Sequence, residues 1–138
     1  MNKNDLERLA NLRIVEAETL LTNSCFAGAY YLSGYVVECA LKACIAKNTK
    51  QYDFPDKKLV LDSYSHDLLK LIYVSGLKNE LDKELKINST FKTYWDLVQE
   101  WSEESRYDPD ISMEMANNLF SAITADPDGV LIWLKKYW

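Results

Sequence analysis

Histidine occurs once in this chain, glycine four times and proline three times, and each scarcity narrows the possibilities. One histidine excludes every site that needs two, multi-histidine zinc sites and histidine pairs alike. Few glycines and prolines mean few tight turns, which favours long helices over a many-stranded sandwich. The glycines (Gly28, Gly34, Gly76, Gly129) are scattered, so no Gly-rich loop exists to cradle a phosphate. Basic residues are in the minority, 16 against 21 acidic, giving a net charge of -5 and a pI near 4.9. A non-specific binder of long nucleic acid normally carries the opposite sign, although net charge says nothing about one local cleft. The opening Met1–Arg8 has acids where an export signal needs an apolar run, which predicts a cytoplasmic protein. Cys25, Cys39 and Cys44 fall in one helical segment, where the rise per residue sets Cys25 and Cys39 roughly 21 Å apart and Cys39 and Cys44 roughly 7.5 Å apart. None can bridge another within the chain, so all three read as buried reduced thiols.

What remains is ordinary globular material. At 138 residues the chain is the size of one domain, read as 1–138, with enough sequence for a single core. A first helix is expected from Asn4, with Glu7 completing a capping box, and Leu6, Leu9, Ala10, Ala17, Leu20 and Leu21 on one face. Arg13 interrupts that stripe, either snorkelling at its margin or partnering a carboxylate on the next helix. The second helix, about Ser24 to Lys47, has Cys25, Ala29, Leu32, Val36, Cys39 and Ala43 stepping by four and three as a packed seam. Its stretch from Cys25 to Ile45 is long enough to cross a bilayer, but Glu38 and Lys42 would each cost about 2.5–3.5 kcal/mol near the centre of a span. The central helix of a soluble bundle fits better, and no membrane partner is expected.

Residues 48–64 show mixed charge and no period and read as a loop. A third helix is expected at His66–Ser75, capped by Ser65 and ended by Gly76. Leu77, Leu81 and Leu85, then Phe91, Tyr94, Trp95, Val98 and Trp101, form stripes that are continuous or broken near Asn88–Thr90. Arg106–Asp110 reads as a loop, Ser112 as the cap of a further helix, and Asp126-Pro127 as a helix start. Five or six helices with short joints and no good strand predict an all-α, up-and-down bundle.

Candidate chemistry sits on the polar stripe of the second helix, Tyr31, Tyr35, Glu38 and Lys42. Glu38 and Lys42 are an i,i+4 pair, but the helix around them is too apolar for a plain surface pair. A carboxylate there needs donors such as Arg13, a tyrosine hydroxyl or Lys42, serving either a structural network or a ligand. His66 is a candidate base or a helix-terminal residue bonded to a neighbour. Arg106-Tyr107 could hold a phosphate and stack a base, or Arg106 could pair with Asp108, Asp110 or Glu38. Trp133 and Trp138 could build an exposed docking patch or simply pack in the core. Cysteine and histidine spacings support no metal site, and no cofactor is implied.

The segment Ala27-Gly-Ala-Tyr-Tyr-Leu-Ser-Gly-Tyr-Val-Val-Glu38-Cys-Ala-Leu-Lys42-Ala, with its Glu-x-x-Leu-Lys core, resembles the second helix of HEPN domains (higher eukaryotes and prokaryotes nucleotide-binding). Tyr64-Ser-His-Asp-Leu68 resembles the His-Asp-Leu turn of that family, and Ser105-Arg-Tyr-Asp-Pro109 its Arg-Tyr-Pro segment with one residue inserted. Ala17-Glu-Thr-Leu-Leu21 is a looser match, and the likeness covers roughly residues 5–110. The resemblance implies an up-and-down helical bundle, commonly a homodimer, often beside a small nucleotidyltransferase in toxin–antitoxin or defence loci, with some members binding nucleotides. Many members are metal-independent RNases with an Arg followed by His after four to six residues. Here the arginines are Arg8, Arg13 and Arg106, and none stands at that spacing before His66. The resemblance thus implies a non-catalytic nucleotide- or RNA-binding module using Tyr35, Glu38, Lys42, His66, Arg106 and Tyr107. The alternatives are an RNase in which His66 and Arg106 meet in space, or a purely protein-docking bundle.

Overall fold

Runs of helix-forming residues punctuated by Asn, Asp and Ser caps produce an all-helical chain. The computed structural model describes residues 1–54 and 56–138, and among them are eight α-helices, one 3-10 helix and no strand. The helices are α1 (Lys3–Thr22), α2 (Phe26–Asn48), α3 (Lys57–Ser63), α4 (Leu68–Val74), α5 (Lys78–Ile87), α6 (Ser89–Gln99), the 3-10 helix Glu103–Tyr107, α7 (Met113–Thr124) and α8 (Val130–Leu134). None is long and apolar enough to cross a membrane.

The helix α2 is the axis of the molecule. Thirteen of its 23 residues are buried, because helices close on it from several sides: α1, α4, α7, α8 and the 3-10 helix all pack against it. Its small residues make that possible. A Cβ on Gly34 would fall on the Trp101 indole, and one on Gly28 would stand 3.2 Å from Leu20. Leu20 meets Gly28 near the turn, while Glu7 and Lys3 act on Cys44 near the other end, so α1 and α2 run antiparallel. Phe91, Leu119, Ile123, Leu131 and Leu134 complete the core with the α2 seam.

Several boundaries differ from the sequence reading. The capping box of α1 is Asn2 with Asp5, two residues earlier than Asn4 with Glu7, because Asn2 Oδ1 accepts from Asp5 N while Asp5 Oδ2 accepts from Asn2 N. The 48–64 stretch is not all loop: Asp56 caps α3 by accepting from Lys58 and Leu59. That segment's Pro55 lies outside the described residues. The His66–Ser75 helix begins later, at Leu68, since Asp67 rather than Ser65 caps it. Ser65 Oγ instead accepts from Asp67 N, closing a turn that holds His66 just before α4. The two stripes after Leu77 are separate helices, with Asn88 accepting from Phe91 N as the cap of the second. Asp126-Pro127 does not open a helix; the peptide is cis and α8 starts at Val130 behind Gly129. Arg106-Tyr107 ends a 3-10 helix rather than standing in a loop. Cys25 is exposed, unlike Cys39 and Cys44.

Candidate functional site

A carboxylate in an apolar interior must find donors or lose its charge. Glu38 lies midway along α2 with its side chain 1% exposed, and it finds them on two elements. Lys42 Nζ, one helical turn on, donates to Glu38 Oε1 over 2.8 Å. His66 Nδ1, delivered by the turn before α4, reaches the same oxygen at 2.9 Å. A carboxylate only accepts, so Nδ1 carries the hydrogen. The other oxygen, Glu38 Oε2, is buried without a hydrogen-bond partner among the described residues, as is Trp101 Nε1.

The imidazole of His66 is 48% exposed, and its far nitrogen, Nε2, stands 3.3 Å from Glu103 Oε2 on the 3-10 helix. Of the two contacts, only that of Nδ1 with Glu38 has hydrogen-bond geometry. Glu103 also links His66 to Arg106, for its charge is one of the influences raising the Arg106 pKa. The foremost is the Tyr107 hydroxyl, followed by that of Tyr31, and the Arg106 guanidinium lies 4.8 Å from the Tyr107 ring centre. Arg106 makes no ion pair among the described residues, so the alternatives with Asp108, Asp110 or Glu38 do not form.

Aromatic rings back this polar row. Tyr35 stacks on Tyr31 and Tyr31 on Trp101, each pair with centroids 6.2 Å apart. Burial first, then the neighbouring Cys39 and Glu38, push the Tyr35 phenol pKa upward. Arg13 lies 5.9 Å from the Tyr35 ring centre and pairs with Glu16 on its own helix, so it partners no carboxylate of α2.

The six residues singled out from sequence are therefore distributed over four settings. Glu38 is the buried hub. Tyr35 and Lys42 line a groove of about 770 Å³ between α1, α2 and the 49–64 segment. His66 lines a smaller cleft of about 310 Å³ against the 3-10 helix, whose other walls include Asp67, Glu100, Glu103 and Glu104. Arg106 and Tyr107 are exposed and line neither. Sequence reasoning missed Glu103, which carries no local signal beyond being an acid in an acidic stretch. It also missed Trp101 as a site residue, although the Phe91–Trp101 stripe had placed it on an inward face. Trp133 is buried, with its ring centroid 5.3 Å from that of Phe91 and 5.2 Å from that of Tyr137, so it forms no exposed patch with Trp138. Among the described residues no group of three or more His, Cys, Asp and Glu side chains could hold a metal. No family model, curated protein or solved structure matches this chain.

Proposed function

We propose that this chain is a non-catalytic, HEPN-like nucleotide- or RNA-binding module, an up-and-down bundle that acts in the cytoplasm as a homodimer, with a small nucleotidyltransferase as its partner in a toxin–antitoxin or defence locus. One observation carries the ligand reading. Glu38, sealed inside α2, gathers two nitrogen donors from different elements, Lys42 Nζ and His66 Nδ1, on one oxygen. Such preorganised donors suit an anionic oxygen, because little ordering entropy is left to lose on binding. Arg106 adds a fork that matches a phosphate, and Tyr107 beside it offers a face for a base. The acids lining the His66 cleft and the overall charge of -5 both oppose a long polyanionic backbone, which leaves a short ligand with few phosphates as the better fit.

The test is a titration of mononucleotides and short RNA against the purified chain and Arg106→Ala. Saturable binding that weakens in the variant is expected; no binding, or equal binding by both, overturns the reading.

A second reading, a metal-independent RNase, is favoured by the Glu38–His66 pair, which orients the ring as a base-positioning carboxylate does. Glu103 opposes it, since its carboxylate, 3.3 Å from Nε2, puts like charge where a scissile phosphate would have to come. Incubation with unstructured RNA in the presence of a chelator separates the two. Cleavage that disappears in His66→Ala would favour the enzyme.

A further inference from the structure

The groove between α1, α2 and α3 contains features that the nucleotide reading does not use. The helix α3 carries three consecutive apolar residues, Leu59, Val60 and Leu61, and buries none of them. It is tied to α4 through Lys70 and Asp62 at 3.1 Å, which leaves the space of about 770 Å³ between itself and the α1–α2 pair. Leu6, Leu9, Ile45, Leu59 and Val60 supply an aliphatic wall, with Phe54 and Tyr64 adding apolar surface to it. A mostly apolar concavity of roughly 300–1,000 Å³ with a few fixed polar groups is the ordinary form of a small-molecule site.

We propose that this groove binds a single long-chain carboxylate, with its alkyl chain along the aliphatic walls and its head group on Lys42. The Lys42 ammonium has three donors. One is taken by Glu38 Oε1, and the side chain, 21% exposed, lines the groove. Two donors remain for a ligand. Tyr35, two turns before Lys42 on the same helix, supplies a second polar tip to the lining. Asp53 and Asp56 stand in the same lining and disfavour a multiply charged phosphate there. This inference goes beyond the nucleotide reading and requires neither His66 nor Arg106.

Calorimetric titration with dodecanoate, below its micelle concentration, tests it. The full chain is expected to bind one equivalent saturably, and dodecanol more weakly. Lys42→Met, which keeps the apolar stem, is expected to weaken dodecanoate at least tenfold and leave dodecanol unchanged. Val60→Glu, on a helix with no buried residue, places a charge in the groove without disturbing the core and is expected to abolish binding of both. Three results overturn the proposal: no saturable binding, undiminished binding by either variant, or a wild-type dimer that Val60→Glu converts to a monomer, which would make a second copy the occupant. Mononucleotide titration of Val60→Glu keeps the two readings separate, because that variant leaves Arg106 and His66 intact.

Discussion

At Glu38, two opposing terms set what the residue contributes. Burying the carboxylate is expensive, and with Oε2 unpartnered the cost is incompletely offset. Removing it is less damaging than usual, because Lys42 and His66 are 21% and 48% exposed and can turn to water. The first term wins. Glu38→Leu is expected to fold with a urea midpoint no lower than that of the parent, while its affinity for a nucleotide falls at least as far as that of Arg106→Ala. Loss of both stability and binding would instead make Glu38 a packing residue. Glu103 yields a prediction of opposite sign. Its carboxylate occupies His66 Nε2, where an anionic ligand would otherwise bond, so it competes with that ligand. Both groups are partly exposed, and pairs of this kind contribute about 0.2–1 kcal/mol. Glu103→Gln should therefore tighten nucleotide binding roughly two- to fivefold at low ionic strength. Unchanged or weaker binding by calorimetry would show that Glu103 does not stand in the ligand's way.

Among the elements, α2 was the most readable in advance and α3 the least, for a physical reason. The α2 seam repeats at four and three residues because several neighbours press on it, whereas Leu59, Val60 and Leu61 are adjacent in sequence and spread around a seven-residue helix that meets α4 but buries no residue. Periodicity records burial, and a helix that buries nothing leaves no period. The Ser65 and Asp67 ambiguity at α4 has another origin: both can cap, and only the chain's path decides that Ser65 closes the turn presenting His66. Two measurements follow at this scale. Amide hydrogens of α3 should exchange far faster than those of α2, since local opening there exposes no core; equal protection would mean that α3 is covered in solution. Gly34→Ala should be costly in turn. Its Cβ would meet the Trp101 indole, which is 3% exposed and stacked on Tyr31 and has no room to retreat. Overpacking of this kind costs about 1–3 kcal/mol, a fall of roughly 3–10 °C in Tm for a chain of this size.

For the molecule as a whole, the all-helical class was legible because it rests on composition and local pattern, whereas the Glu38–His66–Glu103 chain was not. Its members are separated by 28 and 37 positions and meet only once α4 and the 3-10 helix have docked on α2. What the sequence did carry was the requirement: a carboxylate on so apolar a helix had to have donors. The same burial fixes how the molecule responds to alkali. Every resolved pKa displacement is upward. Burial raises the Cys39 thiol from 9.0 to about 12 and the Cys44 thiol from 9.0 to about 11. Burial also raises Tyr30, Tyr35 and Tyr137, while contacts with Asp82 and Tyr107 raise Lys78 and Arg106. A group whose folded pKa exceeds its unfolded one holds its proton longer in the native state, so its contribution is complete below the unfolded value and is lost as pH climbs through the folded one. The two thiols alone place that loss between pH 9 and about 12, with a magnitude on the order of a few kcal/mol. The urea midpoint should be flat from pH 7 to about 8.5 and fall steadily above it, and the paired Cys39→Ala, Cys44→Ala chain should fall less steeply. At pH 8 a thiol reagent should modify only the exposed Cys25 in the native protein and all three cysteines in denaturant. If two or three thiols react in the folded chain, the α2 seam opens more readily than its packing implies, and the sealed setting required for Glu38 is lost with it.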